Sequence, residues 1–161
     1  MRLSTKGRYA VMAMADLGCS AVGRPVALAE IAERQEISLS YLEQLFGKLR
    51  KGGLVRSVRG PGGGYMLARP MDQIRISDII LAVDEPIQTT RCSVTSPAGC
   101  HNTLGRCLTH DLWEELGNQI YSYLSSVSLG DLCERRLIGT SVAGQDRATA
   151  IVGQDDHATA Q

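Results

Sequence analysis

No stretch of this chain approaches the roughly 20 consecutive apolar residues that a bilayer-crossing helix needs, which removes a membrane partner from the expectations. The start, MRLSTKGRYAVMAMADLG, is basic and then apolar. Asp16 interrupts that apolar part and no A-x-A site follows, so it does not read as a signal peptide. Also missing are a Gly-Lys-Ser/Thr phosphate loop after the glycine run, a nucleophile–base pairing and a pair of matched carboxylates; an enzyme is not expected. The five cysteines include no Cys-x2-4-Cys knuckle, the usual frame of structural zinc. An odd cysteine count without an export signal points to a reducing, cytoplasmic setting, where clustered thiols ligate metal more often than they form disulfides.

Charge of either sign is scarce only on average. The net charge is zero, yet residues 1–75 hold twelve Lys/Arg against six acids, and the remainder holds five Arg against eleven acids. A basic half joined to an acidic half suggests a polyanion-binding module with a separate partner region.

The periodicity of the basic half predicts helix, helix, turn, helix and hairpin. Tyr9, Ala10, Ala13 and Leu17 recur on one face of a helix over 5–18, which Ser4 or Thr5 can cap. A short helix, ALAEIAERQ, follows with Leu28, Ile31 and Ala32 inward, and Gln35-Glu36-Ile37 turns the chain into a third. Ser40-Tyr41-Leu42-Glu43 matches a capping box, and Leu42, Leu45, Phe46 and Leu49 form the buried stripe. Lys48, Arg50 and Lys51 suit the helix C-terminus before Gly52-Gly53 ends it. Strands Leu54–Val58 and Tyr65–Ala68 flank the glycine run, and Ser77 is expected to cap a brief fourth helix, DIILAVDE.

This order predicts a mainly α fold with a small β-hairpin wing: a winged helix-turn-helix domain plus a long dimerisation helix. In that arrangement the third helix enters the major groove of double-stranded DNA. Gln44 can bond adenine, Glu43 can accept from cytosine, and Ser38 and Ser40 can serve either. The wing tip would hold Arg59, Gly60 and Gly62, with Arg59 placed to enter a minor groove. Arg2, Lys6 and Arg8 form a candidate phosphate-contacting cluster.

The acidic half carries Cys92-x7-Cys100-x6-Cys107-x2-His110, three thiolates and an imidazole in a loop with little apolar sequence to bury them. Four such ligands suit zinc or an iron–sulfur cluster, and spacing alone leaves the two open. Leu112, Trp113, Leu116, Ile120, Tyr123, Leu124 and Val127 then recur at helical spacing and mark a strongly apolar helix face. That face exceeds what one small wing domain can cover and reads as a homodimer interface across a twofold axis, which makes the expected operator a pseudo-palindrome. The expected boundaries are 1–75 for the DNA-binding domain, 76–91 for a connecting helix and linker, and 92–110 for the ligand loop. The dimerisation helix is expected over 111–137 and a disordered tail over 138–161.

The segments ISLSYLEQLFGKLRKGGLV and RSVRGPGGGY and the Cys…Cys…Cys-LTH ending resemble the winged-helix repressor family of the iron–sulfur regulator IscR, which also includes the nitric-oxide sensor NsrR. The likeness runs from Met1 to about Leu132. It implies a homodimer that holds one [2Fe-2S] cluster per subunit through Cys92, Cys100, Cys107 and His110, supplied by the cluster-assembly machinery. It also implies that Glu43, Gln44 and Arg59 touch DNA and that the chain represses cluster-assembly genes when loaded. The gaps of seven and six residues between the cysteines are longer than the family pattern, at a closure cost of roughly a few tenths of a kcal/mol. His101 competes with His110 for the fourth place; His110 is favoured because Cys107-Leu-Thr-His110 leads straight into the apolar helix. Cys19 and Cys133 read as spectator thiols, with Cys133 a conceivable alternative ligand.

Overall fold

The computed structural model describes residues 4–20, 23–87 and 107–137. Arg2, Cys92, Cys100, His101 and the tail 138–161 lie outside them.

Four helices and a hairpin build the first unit. Helix α1 spans Thr5–Ser20, α2 Leu28–Gln35, α3 Leu39–Lys51, and α4 Ile76–Ala82. Strands β1 (Val55–Val58) and β2 (Gly64–Leu67) pair antiparallel, with Val55 opposite Leu67 and Val58 opposite Gly64. Ala10, Ala13, Met14 and Leu17 of α1 face Ile31, Leu42, Phe46, Leu49, Ile79 and Ile80 in one apolar core. These positions follow the three- and four-residue spacing of a helix face, which is why α1, α3 and α4 pack their stripes together. Ser4 caps α1 as expected, its hydroxyl accepting from the Gly7 N–H at 3.5 Å.

Two expected caps are corrected. Helix α3 starts at Leu39 behind Ser38, so Ser40 and Glu43 lie inside the helix and form no capping box. The cause is upstream. Glu36 takes a left-handed conformation (φ 53°), and the N–H of buried Ile37 bonds the Ala32 carbonyl, closing α2 so that extended Ser38 stands as the N-cap of α3. Nor does Ser77 cap α4. The Arg75 N–H donates to the Asp78 carboxylate at 3.2 Å, while Ser77 is buried and meets the Ser125 hydroxyl at 3.1 Å.

Helix α5 spans His110–Ser126 and a short α6 spans Leu129–Cys133. Ser128 and Asp131 form a reciprocal capping box: the Asp131 N–H donates to the Ser128 hydroxyl and the Ser128 N–H to the Asp131 carboxylate, both at 3.0 Å. The chain then docks on the first unit. The Ile76 N–H bonds Val127 O at 3.0 Å, the Leu129 N–H bonds Ile74 O at 2.8 Å, and Val127 and Leu129 are buried.

A Cys19–Cys133 disulfide joins the last turn of α1 to the end of α6, with Cα atoms 5.9 Å apart. The two cysteines are therefore not spectator thiols, and Cys133 is not available as an alternative ligand. Packing brings them together: a side chain at Gly18 would press on the Met71 sulfur at 2.9 Å and Leu129 at 3.4 Å, so its absence lets α6 lie close to α1.

Candidate nucleic-acid interface and cysteine–histidine site

The two faces of α3 divide cleanly. Leu42, Leu45, Phe46 and Leu49 are buried, whereas Ser38, Ser40, Glu43 and Gln44 are exposed together at its N-terminal end. An exposed helix start with hydroxyl, amide and carboxylate groups is what base-edge reading requires. Because Glu43 takes no part in a cap, its carboxylate is free of that duty.

A buried acid sets the angle of the reading unit. Asp16 on α1, its side chain only 4% exposed, accepts from Arg34 at 2.6 to 3.1 Å and from the Gln35 amide at 2.7 Å. Burial pushes its carboxyl pKa up, but the Arg34 and Gln35 hydrogen bonds and the guanidinium charge outweigh burial and hold it below the ordinary value. Arg34 also reaches Glu30 at 3.6 Å. Glu30 itself bonds Arg24 at 3.0 Å, and that bond, followed by the Ala27 N–H, lowers its pKa to about 2. The network ties α1 and α2 to the turn that launches α3.

The wing is seated by two contacts. The Phe46 ring of α3 meets Tyr65 of β2, and Tyr65 exchanges backbone hydrogen bonds with Val26 at 2.8 and 3.0 Å. A side chain at Gly64 would strike the Val26 carbonyl, so glycine permits this close approach. At the tip, Gly60 and Gly62 have φ of 105° and 71°, conformations that favour glycine. Arg59 stands exposed beside them. Lys6 and Arg8 lie in the first turn of α1.

Of the expected ligand set, Cys107 and His110 are described. Cys107 carries a free, half-buried thiol 3.7 Å from the Thr109 hydroxyl, and its carbonyl accepts the His110 N–H at 3.0 Å. His110 opens α5 and is buried, with Nε2 3.7 Å from a Glu114 carboxylate oxygen one turn on. Ligand atoms of His110, Asp111 and Glu114 lie within 4.8 Å of one another, a group the cysteine spacing did not suggest. Glu114 stands where a carboxylate orients a ligating imidazole, an i, i+4 relation that was legible in the sequence. A thiol and an imidazole three residues apart, tied through one backbone bond, fit the donor chemistry of an iron–sulfur or zinc centre.

Helix α5 lies mostly off the core. Leu112 (63%), Trp113 (43%), Tyr121 (48%) and Tyr123 (46%) are exposed among the described residues, and near its far end Ser125 meets Ser77 of α4. No helix of the described residues is long and apolar enough to cross a membrane.

The comparisons agree with this architecture. The Rrf2 family model, described as an iron-dependent transcriptional regulator, matches residues 3–135. A putative HTH-type transcriptional regulator, ORF2, of Azotobacter vinelandii is 55% identical over 91% of this chain and 88% of its own length. The HTH-type transcriptional regulator IscR of Photorhabdus laumondii is 52% identical over 90% of this chain and 86% of its own. Among solved structures, T. potens IscR superposes with a TM-score of 0.68 at 39% identity, covering 84% of this chain and 88% of that one. With its winged-helix fold, exposed α3 face and glycine-tipped wing, the chain belongs to the Rrf2 family of transcriptional regulators.

Proposed function

We propose that this regulator is a homodimeric repressor that reads a pseudo-palindromic operator and senses iron–sulfur cluster status. One [2Fe-2S] cluster per subunit would be held by Cys92, Cys100, Cys107 and His110, and cluster-assembly genes would be the regulated targets. The observation that carries this reading is a physical connection: Cys107 lies three residues before α5, His110 opens it, and α5 returns through α6 to the same helix, α1, that braces α2 and α3. Similarity to the IscR proteins supports a metal or cluster at this site.

Each residue then has a task. Ser38, Ser40, Glu43 and Gln44 meet base edges, Arg59 with Gly60 and Gly62 follows the minor groove, and Arg2, Lys6 and Arg8 neutralise phosphates. The exposed Leu112, Tyr121 and Tyr123 of α5 would meet the twofold mate, which would set the two reading helices about one DNA turn apart. His110, in neutral form, would ligate, and Glu114 would hold its ring in place. A bound cluster supplies a tie between the three sulfurs and His110 that is labile to oxidants and to cluster demand. The boundaries proposed above, 1–75, 76–91, 92–110 and 111–137, correspond to reading, linking, ligating and pairing.

The test is protein isolated without air and assayed for iron and acid-labile sulfide. Equal iron and sulfide, with visible colour lost in Cys92→Ala while the dimer persists, is the expected result. Colourless protein rich in zinc would overturn the cluster assignment.

A further inference from the structure

The outer face of α3 continues past Gln44. Lys48 follows Ser40 and Gln44 at four-residue spacing and so extends their face toward the helix end. Its ammonium lies 2.8 Å from an Asp84 carboxylate oxygen. Lys6, in the first turn of α1, donates to the Asp84 backbone carbonyl at 3.5 Å. Lys51, three residues beyond Lys48 and so on the same side of α3, adds its charge to the same carboxylate. Asp84 follows α4 with φ 55°, a left-handed conformation that aspartate adopts more readily than most residues.

Three cations from two helices thus gather near Asp84, more positive charge than it and the neighbouring Glu85 carboxylate together cancel. The Lys48 ammonium beside Lys6 is the first cause of its lowered pKa, opposed by the Asp84 and Glu85 charges. The Lys48 hydrogen bond, and then its charge, hold the Asp84 carboxyl below its ordinary value, so it is ionised at neutral pH. The site is open, with the Asp84 side chain 75% exposed. An exposed pair of this kind adds little to folding. An anion with several acceptor oxygens would satisfy the ammonium groups better than one carboxylate does.

We propose that Lys6, Lys48 and Lys51 form a seat for one DNA backbone phosphate, and that Asp84 is a built-in competitor for that seat. Asp84 thereby sets the strength of sequence-independent binding. The inference rests on the DNA-binding reading above and extends it to Lys48, Lys51 and Asp84.

The experiment uses the full chain and a fluorescent duplex of arbitrary sequence, with affinity measured by anisotropy across a salt series. Asp84→Asn should tighten binding by about two- to fivefold at low salt. It should also steepen the log–log salt slope by up to about 0.9, the increment for one more neutralised phosphate. Lys48→Ala and, separately, Lys6→Ala should weaken binding and flatten the slope. In the Lys48→Ala background, Asp84→Asn should give a clearly smaller gain. An unchanged or weakened Asp84→Asn protein overturns the seat, and so does an equal gain in both backgrounds, which would mean a general charge effect. Wild-type protein that binds no duplex would instead remove the DNA-binding reading itself.

Discussion

The rings of Phe46 and Tyr65 meet edge to face, with centroids 5.0 Å apart and planes at 70°. One ring belongs to the helix that faces base edges and the other to the wing, so this contact fixes the distance between two parts that must reach DNA together. Tyr65→Leu should keep the core closed but loosen the wing, weakening operator binding several-fold through lost pre-organisation. Phe46→Ala, at a fully buried position, should cost about 3–5 kcal/mol of stability. Chemical denaturation and operator titration separate the two effects; Tyr65→Leu with wild-type affinity would show that the ring pair serves packing alone.

Glu43 offers a cleaner separation. Because α3 starts behind Ser38, this carboxylate caps nothing. Glu43→Ala should leave the thermal midpoint nearly unchanged and broaden operator choice at the base it faces. A drop in stability with unchanged preference would restore a structural role.

Asp16 couples stability to pH. Its folded pKa is depressed, so its contribution is fully present above the unfolded value of about 4 and is lost as pH falls through the lower folded value. Asp16→Asn should therefore destabilise the protein by about 1–3 kcal/mol at neutral pH, since Arg34 loses a charged acceptor while staying partly exposed. The mutant's deficit should shrink as pH drops below about 4. Urea titrations at two pH values check this, and a deficit independent of pH would contradict it.

The disulfide makes a prediction about heat. Cys19 and Cys133 are 114 residues apart in sequence, so their bond removes much chain entropy from the unfolded state, about 5 kcal/mol in the loop-closure picture. Reduction, or Cys133→Ser, should lower the melting temperature by roughly 10 °C or more without disturbing Cys107. Intact mass before and after alkylation shows whether the bond is present, and an unshifted melting curve on reduction would show that α6 docks as well without it.

Much of the reading unit was legible because its signals are local. The apolar stripes of α1 and α3, the hairpin glycines and the basic run are carried by neighbours in sequence, and the structure keeps each with shifts of a residue or two. The misplaced α3 cap shows the limit: Ser40 and Glu43 have the right spacing, but the left-handed Glu36 fixed the helix start earlier. Helix α6 carries a local signal, Ser128 to Asp131, that breaks the longer helix the apolar periodicity predicts. The Cys19–Cys133 bond was not legible because it depends on α6 folding back against Gly18 across most of the chain. Lys48 likewise looked like a helix-end cation until the fold brought Asp84 to it.

Operator selection run in parallel on cluster-loaded and cluster-free protein tests the central claim most directly. Two enriched sets of pseudo-palindromic sites that differ between the preparations are the predicted result. Identical sets would sever DNA recognition from the metal, and no enrichment in either would contradict the account at its root.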